Sequence, residues 1–288
     1  MNEIVVGYDG SEPGRRAIDW AADEAARRGA SLHVVYVVTP WLFDVPTDPG
    51  AARVREQLLD GGRDIVELGV SRARERVPGL KVTGEQTGGQ PAKVLVERAR
   101  DARMVVTGSR GAGGLTGLVL GSVAMQVASH SHCPAVVVRA SKPSVHREVV
   151  VGVDGSPGSS DAVAFAFEEA SLRGVRLRAL LAWSSPVSTG PGDMRPLVYD
   201  RDVVAVEEER VLGEALAGWR AKYPDVVVMP EAVHGRAVKI LAEASVHADL
   251  LVLGSRGRGG FTGLLPGSVS QAMLLRAHCP VTVIRAHP

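Results

Sequence analysis

The chain has 288 residues, 45% of them hydrophobic and 23% charged, enough to bury a sizeable core. At about 100–200 residues per domain, that length suggests two domains. Its 33 Lys and Arg balance 32 Asp and Glu, so no excess charge points to nucleic acid or to an anionic membrane surface. No run of about 18 apolar residues is present to cross a bilayer, and the opening Met1-Asn2-Glu3-Ile4-Val5-Val6 lacks the regions of a secretory signal, which predicts a cytoplasmic protein.

Self-similarity sets the layout. Gly7-Tyr8-Asp9-Gly10-Ser11 returns as Gly152-Val153-Asp154-Gly155-Ser156, and Gly108-Ser109-Arg110-Gly111 returns as Gly254-Ser255-Arg256-Gly257. Residues 103–140 and 249–286 share 19 identities in 38 positions, whereas 39–60 and 184–205 share almost none. The two copies therefore keep a common site and differ in one loop. The expected domains are 1–141 and 147–288, joined by the polar stretch 140–147, short enough to keep them in contact.

Within each copy, elements alternate. Ile4–Tyr8 and Val149–Val153 read as a buried first strand ending at Asp-Gly-Ser. Ser11 and Ser156 suit a helix N-cap with Pro13 or Pro157 in the first turn, and the Ala-rich helices stop at Gly29 and Gly174. Strand two is expected over 31–38 or 176–183, and a long charged helix over about 53–77 or 200–222. Strand three follows at 80–86 or 225–231, and helix three at 91–101 or 236–247. Strand four (104–107; 250–253) runs into a glycine-rich loop, then a helix opened by Gly121-Ser122 or Gly267-Ser268, then strand five (135–139; 281–285). This alternation predicts an α/β fold: two tandem doubly wound, five-stranded parallel-sheet (Rossmann-like) domains.

In such sheets ligands bind at the carboxyl ends of the strands, where the strand order reverses, so Asp9 and the loop 108–122 should converge. The loop spacing is Gly108-x2-Gly111-x9-Gly121-Ser122, reproduced as Gly254-x2-Gly257-x9-Gly267-Ser268. Glycine admits positive φ and close backbone approach, and a helix N-terminus offers N–H groups to an anion. A phosphate cradle is expected. No Gly-x4-Gly-Lys-Ser/Thr occurs, and Gly111-Ala112-Gly113-Gly114-Leu115-Thr116 carries Thr where a dinucleotide fingerprint has Gly.

The doubled Gly-x2-Gly-x9-Gly-Ser, with Asp closing strand one, resembles the ATP-binding type of the universal stress protein family in its tandem form, over essentially the whole chain. The resemblance implies that Asp9 and Asp154, with Gly10 and Gly155 beside them, lie against the adenosine moiety, and that Val37 and Ala182 pack on the adenine. It places Gly108, Gly111, Gly121 and Ser122 on ribose and phosphate, with Val123 and Ala124 continuing the helix start. Gly254, Gly257, Gly267, Ser268, Val269 and Ser270 do the same in the second copy, and Arg110 and Arg256 stand where they reach a phosphate. It further implies ATP with Mg as ligand, a regulator of stress survival or growth arrest, an internal pseudo-dimer with further homodimerisation, and a regulatory protein partner whose identity the sequence does not give.

No catalytic residue and no protein-held metal is expected. The loops carry no recurring carboxylate beyond the Asp of strand one, so ATP hydrolysis should be slow or absent. Two other readings stay open at this level. One is an adenylate-forming or ATP-cleaving enzyme of the same superfamily, although Asp9-Gly10-Ser11-Glu12 carries neither of its usual signatures. The other is a sensor of AMP or cyclic AMP. Cys133 and Cys279 read as small buried hydrophobes, the repeated His132 and His278 as helix-end residues, and Trp20 as core; Trp183 falls one residue past the adenine-side position.

Overall fold

The computed structural model describes residues 2–38, 49–111, 120–139, 145–184, 201–257 and 267–285. They form β1 (Glu3–Gly7), α1 (Glu12–Arg28), β2 (Ser31–Val38), α2 (Pro49–Arg76), β3 (Val82–Gly88), α3 (Pro91–Arg98), β4 (Met104–Gly108), α4 (Ser122–His130) and β5 (Ala135–Val138). The series repeats as β6 (Glu148–Val153), α5 (Pro157–Arg173), β7 (Arg176–Trp183), α6 (Arg201–Lys222), β8 (Val228–His234), α7 (Ala237–Ser245), β9 (Leu250–Gly254), α8 (Ser268–Arg276) and β10 (Val281–Ile284).

Two compact units result. The first gathers the described residues of Met1–Lys142 with Pro280–Arg285, and the second those of Pro143–Phe261 with Gly267–Cys279. In the first, the strands run in the order β3-β2-β1-β4-β5-β10. All neighbours are parallel except β10, which meets β5 antiparallel with Thr282 opposite Val136. In the second, the order is β9-β6-β7-β8, all parallel. The doubly wound α/β class read from the sequence is the class observed, mostly parallel; it departs from two five-stranded parallel sheets in the antiparallel placement of β10, which gives the two units six and four strands.

The central strands are buried because their apolar runs are continuous: Ile4-Val5-Val6, Met104-Val105-Val106, Val149-Val150-Val151 and Leu250-Leu251-Val252 are each inaccessible to solvent. Strands covered by helices on both faces need such runs rather than alternation. β3 and β8 end the two strand orders and carry the polar Val-Thr-Gly-Glu-Gln-Thr-Gly and the proline-containing Val-Met-Pro-Glu-Ala-Val-His, as edge strands do.

α1 starts where Ser11 Oγ accepts from Gly14 N at 3.1 Å and ends at Gly29, whose φ of 58° admits the left-handed cap. α5 repeats this with Ser156 accepting from Ser159 N at 3.2 Å and Gly174 at φ 62°. α2 is clamped to α1 by the bidentate pairs Arg72–Asp19 and Arg76–Asp23.

Several boundaries differ from expectation. α2 begins at Pro49 instead of about residue 53. β3 begins at Val82, two residues late, because Gly79 at φ 86° turns the chain out of α2 first. β8 begins at Val228, three late, because Val226 N still bonds back to Tyr223 O. Trp20 is half-buried rather than core, since the buried stripe of α1 is Ala17, Ile18, Ala21, Ala22 and Ala25 and Trp20 lies at its margin; its counterpart Phe165 is buried. Residues 140–144 of the expected linker, and the divergent segments 39–48 and 185–200, lie outside the described residues.

Candidate functional site

β1 pairs with β2 on one side and β4 on the other, so the chain leaves β1 in one direction and returns to it from the opposite one. That is the reversal point at which open α/β sheets bind ligands. Asp9 follows β1, and the loop beginning at Gly108 follows β4. In the second unit β6 stands between β7 and β9 in the same way, with Asp154 and the loop from Gly254 at its carboxyl end.

Both aspartates are half-buried and fixed by the turn they open. Asp9 Oδ1 accepts from Ser11 N at 3.1 Å. Asp154 Oδ1 accepts from Ser156 N at 3.0 Å and from Ser156 Oγ at 2.6 Å. Gly10 and Gly155 make these turns possible, with φ of 81° and 73° in the region that side chains disfavour.

The loop glycines serve different purposes. A methyl group on Gly108 would stand 2.7 Å from the Pro13 carbonyl at the start of α1, and one on Gly254 would stand 2.6 Å from the Gly158 carbonyl oxygen. These two let strand and helix touch. At Gly111 the obstacle is the site itself, because a methyl group there would lie 2.6 Å from Asp9 Oδ2; Gly257 meets Asp154 Oδ2 in the same manner. None of these four has positive φ, so close approach explains them and the expected conformational freedom does not.

Gly121 and Gly267 are unlike the rest. Their backbones are ordinary and extended (φ −78°, ψ 152°; φ −59°, ψ 157°), and among the described residues a methyl group would find its nearest atom 3.5 Å away, normal contact distance. Each donates its N–H across the loop base, to Ser109 O at 2.8 Å and to Ser255 O at 2.6 Å. Sequence reasoning did not single out Ser109 and Ser255, although the repeated Gly-Ser-Arg-Gly contained the signal. Each glycine is also the N-cap of the helix behind it, and supplies no side-chain cap. The same chain caps α1 and α5 with serine. Thus α4 and α8 present their first turns, with the positive end of the helix dipole, without a capping side chain from the N-cap residue itself.

The remaining expected residues divide. Ser122 and Ser268 are exposed at the first helical position, and Arg110 and Arg256 are exposed on the loop. Val123 and Val269 are half-buried. Ala124 is buried, and Ser270 is buried with its hydroxyl donating to Gly254 O at 2.6 Å, which ties α8 to the end of β9. Val37 and Ala182 sit half-exposed near the carboxyl ends of β2 and β7, paired with Thr87 and Val233. Residues 112–119 and 258–266 of the loops lie outside the described residues.

The cysteines and histidines that repeat nearby take no part in this arrangement. Cys133 and Cys279 are buried, and burial pushes the Cys133 thiol up from its ordinary value, which suits packing and opposes nucleophilic use. His132 and His278 are exposed at the ends of α4 and α8.

A duplicated doubly wound sheet, with an aspartate turn and a glycine-capped helix following the strands at each reversal point, defines a tandem α/β protein of two like halves. Its two halves, residues 1–139 and 146–285, each match the model of the Universal stress protein family, and the chain belongs to that family. It is similar to two universal stress proteins of Mycobacterium tuberculosis: Rv2005c, 41% identical over 290 residues, and Rv2623, 38% identical over 295, each alignment covering 98% of this chain and 96% of the relative. Among solved structures it is similar to a universal stress protein from Archaeoglobus fulgidus, with TM-score 0.72, 19% identity and 99% of both chains covered. A functionally unknown protein, PA1789 of Pseudomonas aeruginosa, follows with TM-score 0.63, 14% identity and 99% and 93% coverage. These structures share the fold. No described helix is long and apolar enough to cross a membrane.

Proposed function

We propose that each half of this universal stress protein binds one ATP, and that occupancy regulates association with a partner or with a second copy rather than driving turnover. The observation that carries the reading is Gly121 and its repeat Gly267. Among the described residues neither φ nor space requires glycine there, and neither glycine offers the helix behind it a side-chain cap. A phosphate group supplies the reason: it takes the helix N–H groups and needs the volume a side chain would fill.

The rest of the arrangement fits a nucleoside triphosphate. The Asp9 and Asp154 carboxylates lie against Gly111 and Gly257 at the loop base, placed to accept from ribose hydroxyls, and exposed Arg110 and Arg256 supply positive charge for phosphate oxygens. Among the described residues no group of three or more His, Cys, Asp or Glu side chains is placed to hold a metal ion.

Thermal unfolding tests the reading. ATP at about a hundred times its dissociation constant stabilises a bound domain by about 2.7 kcal/mol and raises its Tm. Asp9→Ala together with Asp154→Ala should remove that rise. A double variant that still responds in full would displace the site. Steady ATP hydrolysis faster than about one per second, the low end of ordinary enzymes, would replace the regulator by an enzyme.

A further inference from the structure

The two clefts are alike at their phosphate side and unlike at the far end of the neighbouring strand. The last rung between β7 and β8 pairs Trp183 with His234, whereas the corresponding rung between β2 and β3 pairs Val38 with Gly88. Trp183 closes β7 at its carboxyl end, and β7 adjoins β6, the strand that leads to Asp154. It thus stands at the end of the sheet where ligands lie.

The indole is only 8% exposed, and the exposed His234 ring meets it edge-on, with centroids 4.6 Å apart at 66°. Its Nε1 is buried and has no hydrogen-bond partner. Buried indole N–H groups nearly always find an acceptor, because leaving one without both water and partner is costly. An indole nitrogen donates only, so what it lacks is an acceptor. A valine in the first half offers nothing equivalent.

We propose that Trp183 is the specificity-determining residue of the second site, its indole N–H donating to an unprotonated ring nitrogen of a purine nucleotide, and that the first site has no such contact. The inference rests on the reading that each half binds a nucleotide. The donor is already cut off from water, so pairing with the base costs no further desolvation on the protein side.

The test uses the full chain in two backgrounds, Asp9→Ala, which leaves the second site, and Asp154→Ala, which leaves the first, with ATP binding followed by titration calorimetry. Adding Trp183→Phe should weaken binding by about tenfold in the Asp9→Ala chain, the scale of one lost hydrogen bond, and by less than about twofold in the Asp154→Ala chain. Equal weakening in both backgrounds, or in neither, overturns the assignment. Should Trp183→Phe fail to fold, the wild-type chain serves instead. Its four indole N–H resonances, assigned by replacing Trp20, Trp41 and Trp219 with Phe in turn, should show that of Trp183 moving downfield with ATP; a resonance that stays put overturns it. If the wild-type chain binds no nucleotide, the reading of both clefts falls and takes this inference with it. If two ATP bind and Trp183→Phe changes neither, only the role of Trp183 falls.

Discussion

Gly111 lies directly against the Asp9 carboxylate: a methyl group at position 111 would stand 2.6 Å from Asp9 Oδ2. The turn after β1 and the loop after β4 are thereby locked together at the point where the sheet reverses. Gly111→Ala must push the carboxylate aside. Because only the end of one side chain has to move, the fold should lose at most about 1 kcal/mol, while ATP affinity at the first site should fall at least tenfold. Chemical denaturation and titration of the same sample check both numbers. Unchanged affinity would mean that the Asp9 carboxylate is not a ligand contact.

Gly108 and Gly121 should separate stability from binding. At Gly108 a side chain meets the Pro13 backbone at 2.7 Å, so Gly108→Ala should lower stability by about 1–3 kcal/mol. Gly121→Ser has room and gains a better N-cap for α4, so stability should hold or rise by a few tenths of a kcal/mol. Its side chain competes for the N–H groups a phosphate would use, and ATP affinity should drop. Stability and affinity that fall together at position 121 would make this glycine structural.

Glu24 is fully buried beneath Arg28, with Arg28 Nε donating to it at 2.6 Å and Arg27 at 3.1 Å; Glu169 and Arg173 repeat the pair at 2.7 Å. Removing one member of a buried pair strands the other charge. Glu24→Ala should therefore cost about 3–5 kcal/mol, measured by urea unfolding, far more than Glu207→Ala on the exposed face of α6. A cost under about 1 kcal/mol would show that water reaches Arg28.

The Arg98 guanidinium, hydrogen-bonded to Glu85 at 2.9 Å on the face of β3, holds that carboxyl below its ordinary value, with His33 adding to the effect from 3.3 Å. A lowered carboxylate stabilises the folded chain above its unfolded value near 4.5 and loses that contribution as pH falls through and below it. Glu85→Gln should thus cost up to about 1 kcal/mol at pH 7, given the partial exposure of the pair, and the gap to wild type should close toward pH 3. A gap independent of pH would assign the effect to packing.

The chain shows in its sequence what local pattern encodes. The apolar runs, Ser11 and Ser156 as caps, Gly29 and Gly174 as stops, and the spacing of Asp9 to the glycine loop all act over a few residues or repeat in register, and α1, β2, α5 and β7 appear where they place them. What the sequence conceals depends on contacts across the fold. The meeting of β10 with β5 is a choice of partner that no periodicity records. The late starts of β3 and β8 follow from turns at Gly79 and Tyr223 whose bonds are invisible in composition. The resemblance carries Ser270 into the cradle with Ser268, and that its hydroxyl turns inward to the Gly254 carbonyl is a contact no spacing records. The glycines read alike in the sequence, and only their surroundings separate those that let backbones touch from the one in each loop that no described contact requires.

The central claim is that each half of the chain holds one ATP, and the direct measurement is to denature freshly purified protein and identify and count the released nucleotide by chromatography. About two ATP per chain is the expected result. AMP or a cyclic nucleotide would keep the clefts and change their ligand, and ADP would point to hydrolysis. A protein that releases nothing and gains no thermal stability from added ATP would contradict the account.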